Sequence, residues 1–130
     1  MLLDTHAWVW WVTQARDLPR RVARLIDERI ATEAVCVSSI SIWEVALLVQ
    51  RERLKLTMGV TGWVKRSESL PFIRFVPVDN GVALCSVLLP PPIHPDPADR
   101  IIVATAIQFG AVLVTKDENL HNYPHIEACW

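Results

Sequence analysis

The chain has 130 residues, 52% of them hydrophobic and 21% charged, with a net charge of −1. That length can bury a core without disulfide or metal staples, the composition excludes a disordered chain, and the charge balance excludes a broadly basic nucleic-acid binder. A mean hydropathy of +0.27 is oily for a small monomer, which predicts apolar surface covered by a partner or a second copy.

In chain order, residues 1–3 form a short apolar run expected as a buried strand, and 5–12 a first helix. Pro19 is placed to open a second helix over 19–30, with Val22, Leu25 and Ile26 on one face. Residues 34–37 read as a β-branched strand, and 38–53 as a strong helix with serines at its start. Another helix is expected within 61–69, ended by Pro71, and 72–78 alternates as a strand. Asp79 caps a helix running to about Leu88. Pro90, Pro91, Pro92, Pro95 and Pro97 cannot continue it and hold an extended loop. An apolar helix over 98–109, stopped by Gly110, a strand over 111–114 and a final edge strand within 125–129 complete the chain. Such alternation predicts a mostly parallel sheet covered by helices on both faces. In these sheets ligands bind beyond the carboxyl ends of strands, near a topological switch point.

The longest apolar stretch, 101–115, is interrupted by Gln108 and Gly110 and is too short to cross a bilayer, so no membrane partner is expected. Asp4 stands three residues after Met1 and leaves no room for a signal peptide before it. Cys36, Cys85 and Cys129 are odd in number and far apart, as reduced thiols are. The expected location is cytoplasmic. Local basic clusters occur at Arg20, Arg21 and Arg24, at Arg51, Arg53 and Lys55, and at Lys65 and Arg66; each reads by itself as a solvated helix face.

The acidic residues fall where chemistry is expected. Asp4 ends the first strand, Asp99 opens the helix after the prolines, and Asp117 follows the strand that ends near Thr115. Glu44 lies one turn inside its helix. Each has an ordinary explanation: Asp4, Asp96 and Asp117 as caps, Asp99 answering a helix dipole, and Ser41 with Glu44 as a capping box. Together they would meet at one edge of the sheet. Clustered carboxylates repel one another and push protons onto some members, and hard cations such as Mg²⁺ or Mn²⁺ relieve that cost through oxygen ligands. No Cys or His stands at zinc-ligand spacing, and His94, His121 and His125 are isolated.

Four segments carry a resemblance. LLDTHAWVWW, VSSISIWEVALL, HPDPADRIIVATA and LVTKDENL occur in this order across most of the chain. They resemble the four motifs of VapC-like PIN domains, the third most closely. The resemblance implies a three-layer α/β/α fold over one domain, residues 1–130, with a sheet ordered 3-2-1-4-5. It implies Mg²⁺- or Mn²⁺-dependent hydrolysis of RNA to 5′-phosphate and 3′-hydroxyl ends. It also implies the toxin of a toxin–antitoxin pair, commonly dimeric and neutralised by a small antitoxin. The family's acidic positions map to Asp4, Glu44, Asp99 and Asp117, as catalytic and metal-binding residues. Asp96 matches the first acid of the paired motif and is read as a cap or supporting group, and Thr115 matches a small hydroxyl residue before the fourth acid. Arg100 is read either as a phosphate contact or as the ion-pair partner of Asp96, and Thr5 and His6 border Asp4 as supporting candidates. Two departures concern substrate contacts: Leu48 stands where relatives often have lysine, and Arg51-Glu52-Arg53 where they often have a glycine.

Rival readings are weaker. A phospho-acceptor receiver domain needs an aspartate ending its third strand, and none occurs between Asp27 and Asp79. A nucleotide-binding fold needs a glycine-rich loop, and the four glycines lack that spacing. The remaining alternative is a catalytically silent PIN domain that binds RNA or protein. Finally, Trp8, Val9, Trp10, Trp11 and Val12 are consecutive, and Leu47, Leu48 and Val49 follow Trp43. One side of this helix pair is therefore expected to meet another chain, the second protomer or the antitoxin.

Overall fold

In the computed structural model, which describes residues 1–93 and 95–130, the short apolar runs become five strands. These are β1 (Leu2–Leu3), β2 (Val35–Ser38), β3 (Ile73–Val76), β4 (Leu113–Val114) and β5 (Ala128–Cys129). Between them run α1 (Thr5–Val12), α2 (Arg20–Ile30), α3 (Ile40–Gln50), α4 (Val60–Glu68), α5 (Asn80–Leu88), α6 (Pro97–Phe109) and α7 (Glu118–His121). His94, weighed above as a zinc ligand, lies outside the described residues.

All neighbouring strands pair in parallel, in the order β3-β2-β1-β4-β5. The two-residue period of a strand sorts the core onto two faces. Leu3, Val35, Val37, Ile73 and Val114 pack against Trp8, Val22, Ile26 and Trp63 from α1, α2 and α4. Leu2 and Leu113 face the other way, onto Ile102, Val103, Ala106 and Leu120 from α6 and α7. The result is the expected three-layer α/β/α arrangement. Each fully buried side chain of this kind contributes about 1.5–3 kcal/mol of hydrophobic stabilisation. The chain builds outward from β1 to β3, then returns to place β4 on the other side of β1. The switch point therefore lies between β1 and β4.

Several local expectations are adjusted. Ser38 ends β2, and Ser39, with helical dihedrals but an N–H that still donates to the Val76 carbonyl at 2.8 Å, turns the chain directly into α3 at Ile40. Ser39 makes no side-chain cap bond. Ser41 is buried inside α3, so the Ser41–Glu44 capping box does not form. The helix stops at Gln50, because Glu52 takes a left-handed φ of 56° and the Arg53 and Leu54 N–H groups fold back onto the Leu48 carbonyl. The strand expected over 72–78 is confined to Ile73–Val76; Pro77, lacking an N–H, follows directly. The strands expected over 111–114 and 125–129 shorten to two residues each, and the short α7 lies between them. Asp79 and Asp96 do cap α5 and α6, and Gly110 ends α6 in the left-handed conformation.

The α1 half of the expected partner surface is corrected. Trp8 and Val9 are buried, and Trp10, Trp11 and Val12 are half-buried against the same core. Trp8 packs on Trp63 and Phe75, Trp11 edge-on to Phe72, and Trp10 near Trp130. Exposed apolar side chains lie instead on α5 and α6, at Leu84, Val87, Leu88, Ile107 and Phe109, and at Trp43 of α3. Among the described residues, no helix is long and apolar enough to cross a membrane.

Candidate active site

Two central strands and three helix starts deliver the acids to one place. Asp4 leaves the carboxyl end of β1 and caps α1, accepting from the Ala7 N–H at 2.6 Å. Asp117 follows the carboxyl end of β4 and caps α7, accepting from Asn119 and Leu120. The pair thus flanks the switch point. Asp96 caps α6, accepting from the Ala98 N–H at 2.8 Å, and its helix carries Asp99 in the first turn. Glu44 arrives from the first half of α3, one turn beyond Ile40.

These five carboxylates, with Thr5, His6 and Lys116, line one cavity of ≈ 220 Å³. Larger cavities of ≈ 560 and ≈ 690 Å³ lie elsewhere, the first beside α1, α2 and α4 and the second beside α5 and α6, but neither gathers carboxylates.

The electrostatics are those of confined like charges. Asp4 is only 6% exposed. Burial raises its carboxyl above the usual aspartate range, and Asp117 adds repulsion. The Ala7 N–H, the Thr115 hydroxyl and His6 act in the opposite direction. Glu44 is pushed up to about 7, first by burial and then by the charges of Asp99, Asp96 and Asp4. The Thr5 hydroxyl donates to Glu44 Oε2, which offsets part of that rise. With its single proton so used, the Thr5 oxygen can accept from the Ser41 hydroxyl 2.9 Å away. Ser41 is therefore a support for Thr5 and Glu44, not a cap. Thr115 also accepts from the Asp117 N–H at 3.1 Å, which links the fourth acid to the first.

The donor set is all carboxylate oxygen, the kind that hard divalent cations select. As they lie, no three histidine, cysteine or carboxylate side chains among the described residues already stand together to hold a metal ion. Capping does not bar Asp4 and Asp117 from ligation, since an ionised carboxylate offers about four lone-pair sites. Glu44, half-buried, and Asp4, buried, are both raised, and a nearby cation would favour the ionised form of each. The residues fit Mg²⁺ or Mn²⁺ by the chemistry of their donors.

Arg100 is held within the fold. Its Nε and one Nη donate to the Ser86 and Val87 carbonyls at 2.9 and 3.0 Å, holding the last turn of α5 against α6. Lys116 is the lining residue that the sequence reading passed over. The available signal was a cation directly before Asp117, in the loop after a strand's carboxyl end.

A fold and site of this form define an α/β protein with a cluster of carboxylates at its switch point. The family model for the PIN domain matches residues 1–126, and the chain belongs to that family. It is 35% identical to Ribonuclease VapC22 of Mycobacterium tuberculosis over 96% of this chain and 92% of that protein. A crystal structure of VapBC2 from Rickettsia felis bound to a promoter DNA fragment shares the fold, with a TM-score of 0.72 and 16% identity over 99% of this chain and 97% of that one. A crystal structure of FitAcB from Neisseria gonorrhoeae gives a TM-score of 0.69 and 26% identity over 98% and 94% of the two chains.

Proposed function

We propose that this protein is a divalent-metal-dependent endoribonuclease and the toxin of a toxin–antitoxin pair. The observation that carries the reading is the meeting of Asp4, Glu44, Asp99 and Asp117 on one cavity at the switch point. The likeness to a protein named as a ribonuclease supports the substrate class.

Asp4, Asp99, Glu44 and Asp117 would hold Mg²⁺ or Mn²⁺. Such an ion supplies an activated water and neutralises charge on the phosphate. The chain's residues then have distinct tasks. Thr5 fixes one Glu44 oxygen by its hydrogen bond and leaves the other to orient the attacking water. Above about pH 7 Glu44 is ionised and can accept a proton from that water. Asp4 is held by the Ala7 N–H and the Thr115 hydroxyl, so its position is set before substrate arrives. Attack at phosphorus breaks the bond to the 3′ oxygen, which takes up a proton. The products are a 5′-phosphate and a 3′-hydroxyl.

A small antitoxin and a second copy of the chain are the partners in this reading. Solved relatives such as VapBC2 are complexes, and Leu84, Val87, Leu88, Ile107 and Phe109 leave apolar surface for another chain to cover. Light scattering of the isolated protein tests the second copy, and co-purification with the product of a neighbouring reading frame tests the antitoxin.

The direct test is cleavage of RNA by the purified chain. Activity is expected with Mg²⁺ or Mn²⁺ and lost in EDTA, and Asp99→Asn is expected to abolish it while the melting temperature stays within a few degrees. Undiminished cleavage in EDTA, rescue by Zn²⁺ alone, or wild-type activity in Asp99→Asn would contradict the reading.

A further inference from the structure

A second cleft of ≈ 250 Å³ adjoins the acidic cavity and shares Thr5, His6 and Lys116 with it. Its chemistry is the opposite. Among the described residues that line it there is no carboxylate; Arg53 and Lys116 supply charge, Trp10 and His6 supply rings, and Leu48 and Leu54 are apolar. The Lys116 ammonium lies 4.6 Å from the centre of the Trp10 ring, a cation–π contact that positions it without neutralising it. His6 and Trp10 stand with ring centres 5.4 Å apart. Arg53 is carried here by the fold-back after α3, where its N–H donates to the Leu48 carbonyl at 2.9 Å.

A polyanion approaching five carboxylates needs a cationic foothold outside the cavity that repels it. Phosphate contacts from Lys and Arg provide affinity, and rings beside them suit unstacked bases. We propose that this second cleft holds the nucleotide next to the scissile phosphate of a single RNA strand. Lys116 and Arg53 take its phosphate, and the Trp10 and His6 rings lie beside its base. This rests on the ribonuclease reading above and adds a binding site to it. The sharing of Thr5, His6 and Lys116 makes the two clefts one continuous track, so a strand anchored in one presents its neighbouring phosphodiester to the other.

The test is binding of a short fluorescein-labelled oligouridine to the full chain, followed by anisotropy in EDTA over a range of salt concentrations. Wild type is compared with Arg53→Met, Lys116→Met and the control Lys65→Met, which removes an exposed cation from α4. Methionine keeps most of the aliphatic stem, and all three positions are exposed, so melting temperatures are expected to match. Arg53→Met and Lys116→Met are each expected to weaken binding roughly three- to tenfold. Each should also flatten the slope of log affinity against log salt by about 0.7, the loss of one phosphate contact to a single strand. Lys65→Met is expected to change affinity less than about twofold. The proposal is overturned if the two cleft variants bind like Lys65→Met, or if wild type shows no salt-dependent binding. The two readings separate cleanly. A wild type that binds through Arg53 and Lys116 yet cleaves nothing with Mg²⁺ or Mn²⁺ keeps the cleft and removes the ribonuclease, and metal-dependent cleavage with unchanged binding in both variants does the reverse.

Discussion

Glu44→Gln sets the metal-site account against a merely structural role for this residue. Burial, offset in part by the Thr5 hydrogen bond, and the charges of Asp99, Asp96 and Asp4 raise the carboxyl from 4.5 to about 7. The folded value lies above the unfolded one, so between them the folded chain binds more protons. The stability contributed by that proton is whole below about pH 4.5 and is lost as pH rises through about 7. Each unit corresponds to about 1.4 kcal/mol, which sets a ceiling of about 3 kcal/mol, and solvent at a half-buried group reduces this to about 1–2 kcal/mol. Glutamine carries no charge to desolvate and can still accept from Thr5. In EDTA, the variant should therefore gain about 1–2 kcal/mol on wild type between pH 4.5 and pH 8. Urea denaturation of both proteins at each pH measures this, and taking the difference cancels the carboxylates that do not interact with Glu44. With Mg²⁺ or Mn²⁺ the same variant should cleave RNA about 100-fold more slowly or worse. A stability difference that does not change with pH, or a variant that is less stable at pH 8 with near-normal cleavage, would refute the reasoning.

Glu52→Gly should stabilise the protein, because Glu52 holds a left-handed φ of 56° at the end of α3, where glycine carries no steric cost. The expected gain is about 0.5–1 kcal/mol by urea denaturation, and a loss would show that the Glu52 side chain stabilises the turn. Arg100→Met should cost about 1–3 kcal/mol of stability, since it removes charged donors from the Ser86 and Val87 carbonyls. Its cleavage rate should hold where the protein is folded; a large loss of rate at unchanged stability would restore the phosphate-contact role.

Much of this architecture is legible in the sequence because its signals are local. Asp79 and Asp96 announce caps, Gly110 a stop, and the β-branched runs their strands. The approach of Asp4 and Asp117 is legible because each follows a strand and the resemblance implies a sheet order in which those two strands are neighbours. What is not legible depends on backbone groups or on distant partners. Arg100 binds carbonyls of α5, which have no side-chain signature. Ser41 fits a capping box by spacing, yet α3 begins at Ile40, so Ser41 is already helical and its hydroxyl is buried against Thr5. The run of tryptophans in α1 reads as surplus apolar surface. Its partners Trp63, Phe72, Phe75 and Trp130 come from α4, the β3 region and the chain's end, which no local pattern connects.

The central claim is that Asp4, Glu44, Asp99 and Asp117 form a divalent-cation site at the switch point. Titration calorimetry of Mn²⁺ into the purified protein at pH 8, where Glu44 is ionised, tests it without recourse to a substrate. Wild type is expected to give saturable binding, and Asp4→Asn, still folded, to lose at least about tenfold in affinity because an amide is a poorer ligand for a hard cation. No binding by wild type, or equal binding by Asp4→Asn, would contradict the account.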